Sequence, residues 1–134
     1  MQSKTIVLDA SALIAWLHKE PGADLVLNHL ELHSCAISAV NFAEVITKAS
    51  RLSQENGRKI AAAISHTDIQ VIPFSQEQAE HTGLLGPVTR KKGLSLGDRA
   101  CLSLAMELQA IVLTGDKVWK EVDLSIEILD IRVG

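Results

Sequence analysis

Thr5-Ile6-Val7-Leu8-Asp9-Ala10-Ser11 is the stretch that decides the fold. Four consecutive residues suited to a strand, without polar alternation, read as a strand covered on both faces, which is the habit of parallel sheets. An acid follows at once, and Ser11 to His18 reads as a short helix closed by the Pro21-Gly22 break. The same unit recurs down the chain. Ala23 to Glu31 reads as a helix burying Leu25, Leu27 and Leu30, and Cys35 to Ser38 as a brief strand. Ser38 caps a helix to about Ser50 with an apolar stripe of Phe42, Val45, Ile46 and Ala49. Ser53 opens another helix, with Ile60, Ala63 and Ile64 inside. Gln70 to Phe74 is the third strand, and Ser75-Gln76-Glu77-Gln78 is a capping box opening a helix to about Thr89. Ser95 caps a helix carrying Leu96, Ala100, Leu104 and Leu108, and the strands Ala110 to Thr114 and Ile126 to Ile131 complete the series. Strands alternating with helices imply crossovers and a parallel sheet. The two helices between the second and third strands exceed what one crossover needs and suit a projecting hairpin.

Composition narrows the function classes. A chain of 134 residues, 47% hydrophobic and 22% charged, suits one globular domain spanning residues 1–134. No apolar run approaches the roughly 18 residues of a membrane span, and the N-terminus runs directly into a strand without a signal-peptide pattern. Cys35 and Cys101 lie in apolar segments and form no Cys-x-x-Cys pair, which favours reduced core thiols and a cytoplasmic protein. A net charge of −3 and 3% aromatic residues, with no tyrosine, give no global signature of nucleic-acid binding. Any such role must rest on local patches.

Four carboxylates stand at the chain's punctuation points. Asp9 ends the first strand, Asp116 follows the strand ending at Thr114, and Glu44 and Asp98 lie near helix starts. Strand ends and helix starts face one rim of a parallel α/β sheet, where ligands bind. Each acid alone has a structural explanation. Asp9 or Ser11 can cap a helix, Glu44 can pair with Lys48, Asp98 can complete a capping box with Ser95, and Gly115-Asp116 is ordinary turn chemistry. Together they are more informative, because acids gathered in a tight space do not all stay ionised without a cation. A divalent metal with oxygen ligands answers that need and points to chemistry on phosphate.

The blocks around these acids carry a further signal. They read Val7-Leu8-Asp9-Ala10-Ser11-Ala12-Leu13-Ile14-Ala15, Ser38-Ala39-Val40-Asn41-Phe42-Ala43-Glu44-Val45, Ser95-Leu96-Gly97-Asp98-Arg99-Ala100 and Leu113-Thr114-Gly115-Asp116-Lys117-Val118-Trp119. In this order they resemble the PIN-domain nucleases, most closely the VapC-type toxins of toxin–antitoxin systems, over nearly the whole chain. The resemblance implies a three-layer α/β/α fold with a five-stranded parallel sheet and a Mg²⁺- or Mn²⁺-dependent endoribonuclease. It places the family's acids on Asp9, Glu44, Asp98 and Asp116, a small hydroxyl position on Ser11 and another polar position on Thr114. Asp9 and Asp116 are expected to ligate directly, Asp98 directly or through water, and Glu44 to ligate or to orient the attacking water. Gly115 departs from the family, whose members often carry alanine or another small residue there. The resemblance further implies a homodimer and an antitoxin partner covering the acidic groove, with the helix pair from Ser38 to His66 as a candidate interface. Arg90, Lys91, Lys92 and Arg99 are the candidate RNA contacts.

Other readings differ in specific residues. A PIN nuclease of RNA processing has the same site without a toxin role. A phosphoacceptor receiver domain wants paired acids after the first strand, where this chain has Ala10 and Ser11, and an acid ending the third, which here ends Pro73-Phe74. A haloacid-dehalogenase-like phosphatase wants a second Asp at position 11, which is Ser11.

Overall fold

The computed structural model describes residues 4–116, 119 and 124–132. Five strands, β1 (Thr5–Leu8), β2 (Ser34–Ser38), β3 (Gln70–Ile72), β4 (Ile111–Thr114) and β5 (Ile128–Asp130), form one sheet in the order β3-β2-β1-β4-β5. Every pairing is parallel, with Leu8 opposite Ile37 on one side and Leu113 on the other. The helices are α1 (Ala10–Leu17), α2 (Ala23–Leu32), α3 (Ala39–Ser50), α4 (Gln54–Ser65), α5 (Gln76–Thr89) and α6 (Leu96–Leu108), with a 3₁₀ turn at Arg90–Lys92.

The apolar run of β1 feeds both faces of the sheet because successive side chains point to opposite sides of a strand. Ile6 and Leu8 pack with Leu13, Val26, Ile37, Val45 and Ile64, beneath α1 to α4. Val7 packs with Leu85, Leu102, Leu104, Val112 and Trp119, beneath α5 and α6. The result is the three-layer arrangement, with β1 fully buried from Ile6 to Leu8.

The chain runs outward from β1 through β2 to β3, then crosses back to the other side of β1 for β4 and β5. The direction of winding therefore reverses between β1 and β4, where parallel sheets open a crevice at their C-terminal ends. The Asp9 backbone N–H donates to the Leu113 carbonyl at 3.1 Å and closes the floor of that crevice.

Several sequence expectations shift in detail. β3 stops at Ile72, since Pro73 has no N–H to continue a ladder, and β5 is only three residues long. In α2 the fully buried residue is Val26, while Leu27 is 41% exposed. Ala63 and Leu96 are also exposed, so α4 and α6 bury narrower stripes than expected. His29 and His33 are half-buried, with stacked rings 5.5 Å apart. Both cysteines are buried and unpaired. Among the described residues, no helix is long and apolar enough to cross a membrane.

Candidate active site

Asp9 is 5% exposed and caps α1, its Oδ1 accepting from the Ala12 N–H at 2.8 Å. The cap expected of Asp9 is therefore present, and the same carboxylate lines the acidic pocket. Two hydroxyls complete its surroundings. Ser11 Oγ donates to Asp9 at 2.7 and 2.9 Å, and Thr114 Oγ1 donates to Oδ2 at 2.5 Å. Each hydroxyl also accepts a backbone N–H from the turn after β4. Gly115 donates to Ser11 Oγ at 2.9 Å and Asp116 donates to Thr114 Oγ1 at 3.0 Å. Those amides fix the hydroxyl protons on the Asp9 side, so the carboxylate and the Asp116 backbone are held as one unit.

Burial pushes the Asp9 carboxyl up from its ordinary 3.8 to about 6. Desolvation is the largest cause, and the charge on Asp98 adds to it. The bonds from Thr114, Ala12 and Ser11 pull the other way without cancelling it. Beneath the site lies Cys101, fully buried, its thiol pushed well up by desolvation and then by Asp9, Asp98 and Glu44. Three of the four predicted acids therefore bear on one buried point.

Glu44 projects from α3 toward the first turn of α6. Asn41, one turn earlier and 1% exposed, donates from Nδ2 to Glu44 Oε1 at 2.8 Å and to the Gly97 carbonyl at 2.9 Å. Both partners are acceptors, which settles which end of the amide carries nitrogen. A Cβ on Gly97 would stand 2.7 Å from Glu44 Cδ and Oε1, so only glycine leaves room for the carboxylate there. Asp98, next in sequence, completes the expected capping box. Its Oδ2 accepts from the Ser95 N–H at 3.0 Å, and Ser95 Oγ accepts from the Asp98 N–H at 3.1 Å.

Asp9, Ser11, Asn41, Glu44, Asp98 and Asp116 share one open pocket of about 290 Å³, with Glu20, Lys48 and Arg132 on its rim. Larger clefts of about 680 and 770 Å³ lie elsewhere. Volume does not mark this site; the convergence of acids does. Asn41, Glu20 and Arg132 went unseen in the sequence. Asn41 sits at i−3 from Glu44, a spacing that signals a side-chain bond on a helix. Glu20 and Arg132 sit beside a turn and a chain end, with no local signal.

The candidate RNA contacts lie apart from this pocket. Arg90, Lys91 and Lys92 are exposed on the 3₁₀ turn after α5. Arg99 is half-buried and donates from Nη1 to the Thr82 carbonyl at 3.0 Å, tying α6 to α5. The described histidines and cysteines line none of the pocket.

The donor set fits a hard divalent ion. Every candidate ligand is oxygen, and a carboxylate as desolvated as Asp9 is ionised at neutral pH at a cost that a cation would relieve. Among the described residues, no three His, Cys, Asp or Glu side chains are already drawn together into a metal cage. Such sites often keep several waters on Mg²⁺, which extends the reach of each carboxylate.

Fold and site together define an α/β protein with an acidic pocket at the switch point of its sheet. The PIN domain family profile matches residues 6–124, and the chain belongs to that family. Among solved structures it is similar to VapBC2 from Rickettsia felis bound to a promoter DNA fragment, at 22% identity and TM-score 0.75, covering 93% of this chain and 97% of that one. DNA-bound VapBC from Salmonella typhimurium superposes with TM-score 0.74 at 19% identity, covering 97% and 99%. The Mycobacterium tuberculosis toxin VapC20, which cleaves the sarcin–ricin loop, superposes with TM-score 0.69 at 12% identity, covering 90% and 98%. No protein of curated function matches the sequence.

Proposed function

We propose that the protein is a divalent-metal-dependent endoribonuclease, the toxin of a toxin–antitoxin pair. The observation that carries this reading is the gathering of Asp9, Glu44, Asp98 and Asp116 around one pocket at the β1–β4 switch point of a PIN-family chain. The likeness to VapBC complexes supports the antitoxin partner and the toxin role.

Asp9, Asp98 and Asp116 would hold Mg²⁺ or Mn²⁺, with Glu44 directly or through water. When bound, the ion supplies a water of lowered pKa and neutralises charge at the phosphate. The chain's own residues do the rest. Ser11 and Thr114 keep the Asp9 carboxylate aimed and ionised. Asn41 occupies Glu44 Oε1, leaving Oε2 to accept the proton of the attacking water. The exposed run Arg90-Lys91-Lys92 attracts the RNA backbone, a role Arg99 is less suited to because its guanidinium is engaged with α5. Ala62 and Ala63 on α4 are exposed and permit a close helix approach in a homodimer.

Purified protein should cut RNA with Mg²⁺ or Mn²⁺ and stop in EDTA. Asp116→Asn should lose most of the activity while still folding. Full cleavage in EDTA would sink the metal mechanism. Sequencing of RNA ends after induced expression separates a toxin that cuts one target from a processing nuclease.

A further inference from the structure

We propose that Arg132 is a phosphate-binding residue of the acidic pocket, taking the RNA phosphate next to the one being cleaved. The proposal rests on the nuclease reading above and assigns a cation to a site that otherwise gathers negative charge. RNA entering a pocket lined by Asp9, Glu20, Glu44, Asp98 and Asp116 meets repulsion at every phosphate not covered by the metal. Lys48 and Arg132 are the cations on that rim among the described residues.

Three observations single out Arg132. First, its guanidinium lies flat on Gly115, the residue between Thr114 and Asp116. A Cβ on Gly115 would stand 3.0, 3.1 and 3.2 Å from Cζ, Nε and Nη2. Near-equal distances to three atoms of the plane mean that its face, not its edge, covers the backbone. The N–H groups lie in that plane and therefore point sideways along the pocket rim. Gly115 does not have positive φ, so the glycine is there for space and not for backbone freedom. Glycine at this position lets the guanidinium lie closer to the backbone than a methyl group would allow. Second, Glu20 Oε1 stands 3.9 Å from Nη2, with both side chains about two-fifths exposed. That distance exceeds a hydrogen bond, so this exposed pair is loose and leaves the guanidinium's donors unspent. Third, the Arg132 N–H donates to Asp130 Oδ1 at 2.9 Å, which anchors the residue to the end of β5. A planar, permanently charged fork held in this way suits bidentate phosphate contact.

The test is binding of a fluorescent oligouridylate by anisotropy across a salt series, with Ca²⁺ as the ion and a gel to confirm that the probe stays intact. Wild type, Arg132→Gln, Arg132→Lys, Glu20→Gln and Lys59→Gln are compared, each shown to fold by thermal melting. Arg132→Gln should weaken binding about three- to tenfold and reduce the slope of log affinity against log salt by about 0.7, one phosphate contact on a single strand. Arg132→Lys should restore the slope and part of the affinity. Glu20→Gln should bind as well as wild type or better, because it removes a negative charge and leaves the guanidinium. Lys59→Gln, on the outer face of α4, should match wild type and exclude a net-charge effect. Wild-type slope and affinity in Arg132→Gln would overturn the assignment and leave the nuclease reading standing. Equal losses in Glu20→Gln and Arg132→Gln would also overturn it, by showing that the pair only pins the chain end. A wild type that neither binds nor cuts RNA overturns both readings.

Discussion

Replacing Asp9 with asparagine should stabilise the metal-free protein at neutral pH, and the gain should fade as pH falls. The Asp9 carboxyl rises from 3.8 to about 6 on folding. Its folded-state pKa lies above its unfolded one, so the folded state binds more protons between these values, and stability falls as pH rises through that window. At about 1.36 kcal/mol per pH decade, the full penalty above pH 6 is about 3 kcal/mol. Near pH 5 the folded carboxyl is mostly protonated, and about half of that penalty has gone. Asparagine carries no such penalty but weakens the hydroxyl bonds. Its Nδ2 would face Ser11 Oγ and Thr114 Oγ1, which already accept from Gly115 and Asp116. That rearrangement costs about 1–2 kcal/mol. The expected net gain for Asp9→Asn in EDTA near pH 7.5 is about 1–2 kcal/mol, or about 3–8 °C in Tm. Between about pH 7.5 and pH 5 the gap to wild type should shrink by about 1.4 kcal/mol. The assay is thermal or urea melting of both proteins in EDTA at the two pH values. A gap that does not change with pH would refute the argument that burial penalises this carboxylate. Added Mn²⁺ at about tenfold over Kd should raise wild-type stability by about 1.4 kcal/mol. It should leave Asp9→Asn nearly unmoved. Asp68→Asn, exposed and outside the acidic pocket, should keep the full shift; an equal Mn²⁺ shift in Asp9→Asn would remove Asp9 from the ligand set.

Gly97→Ala should fold but lose catalytic rate about as severely as Glu44→Gln, because the new methyl displaces the Glu44 carboxylate; single-turnover cleavage measures this, and wild-type rates would show that Glu44 needs no fixed position. Asn41→Ala should lower the rate and destabilise the fold by about 1–3 kcal/mol, since it removes the bridge from α3 to α6 and leaves the buried Gly97 carbonyl without that donor. Thr114→Val removes a bond that lowers the Asp9 pKa, so the acid limb of the pH–activity profile should move to higher pH; an unmoved limb would mean that Asp9 does not set it.

Much of the architecture lies open in the sequence because it rests on local physics. The uninterrupted run Ile6-Val7-Leu8 needs cover on both faces, and alternation with capped helices leaves little but a parallel sheet. Ser38, Ser53, Ser75 and Ser95 each announce a helix start and each accepts the expected backbone bond. Asp9, Asp98 and Asp116 stand out at element boundaries, where chain direction changes and ligands bind, whereas Glu44 sits in the middle of α3. Tertiary structure alone decided how they are held. The two hydroxyls that bind Asp9 to the Gly115–Asp116 turn act across more than a hundred residues of chain. Asn41 reaches Gly97 over 56 positions, and Arg132 meets Glu20 and Gly115 only because β5 ends beside the α1–α2 turn. Burial, and with it the Asp9 pKa, belongs to the packed assembly. A sequence specifies which groups are present and where elements begin; their desolvation and long-range partners exist only once the sheet has closed around them.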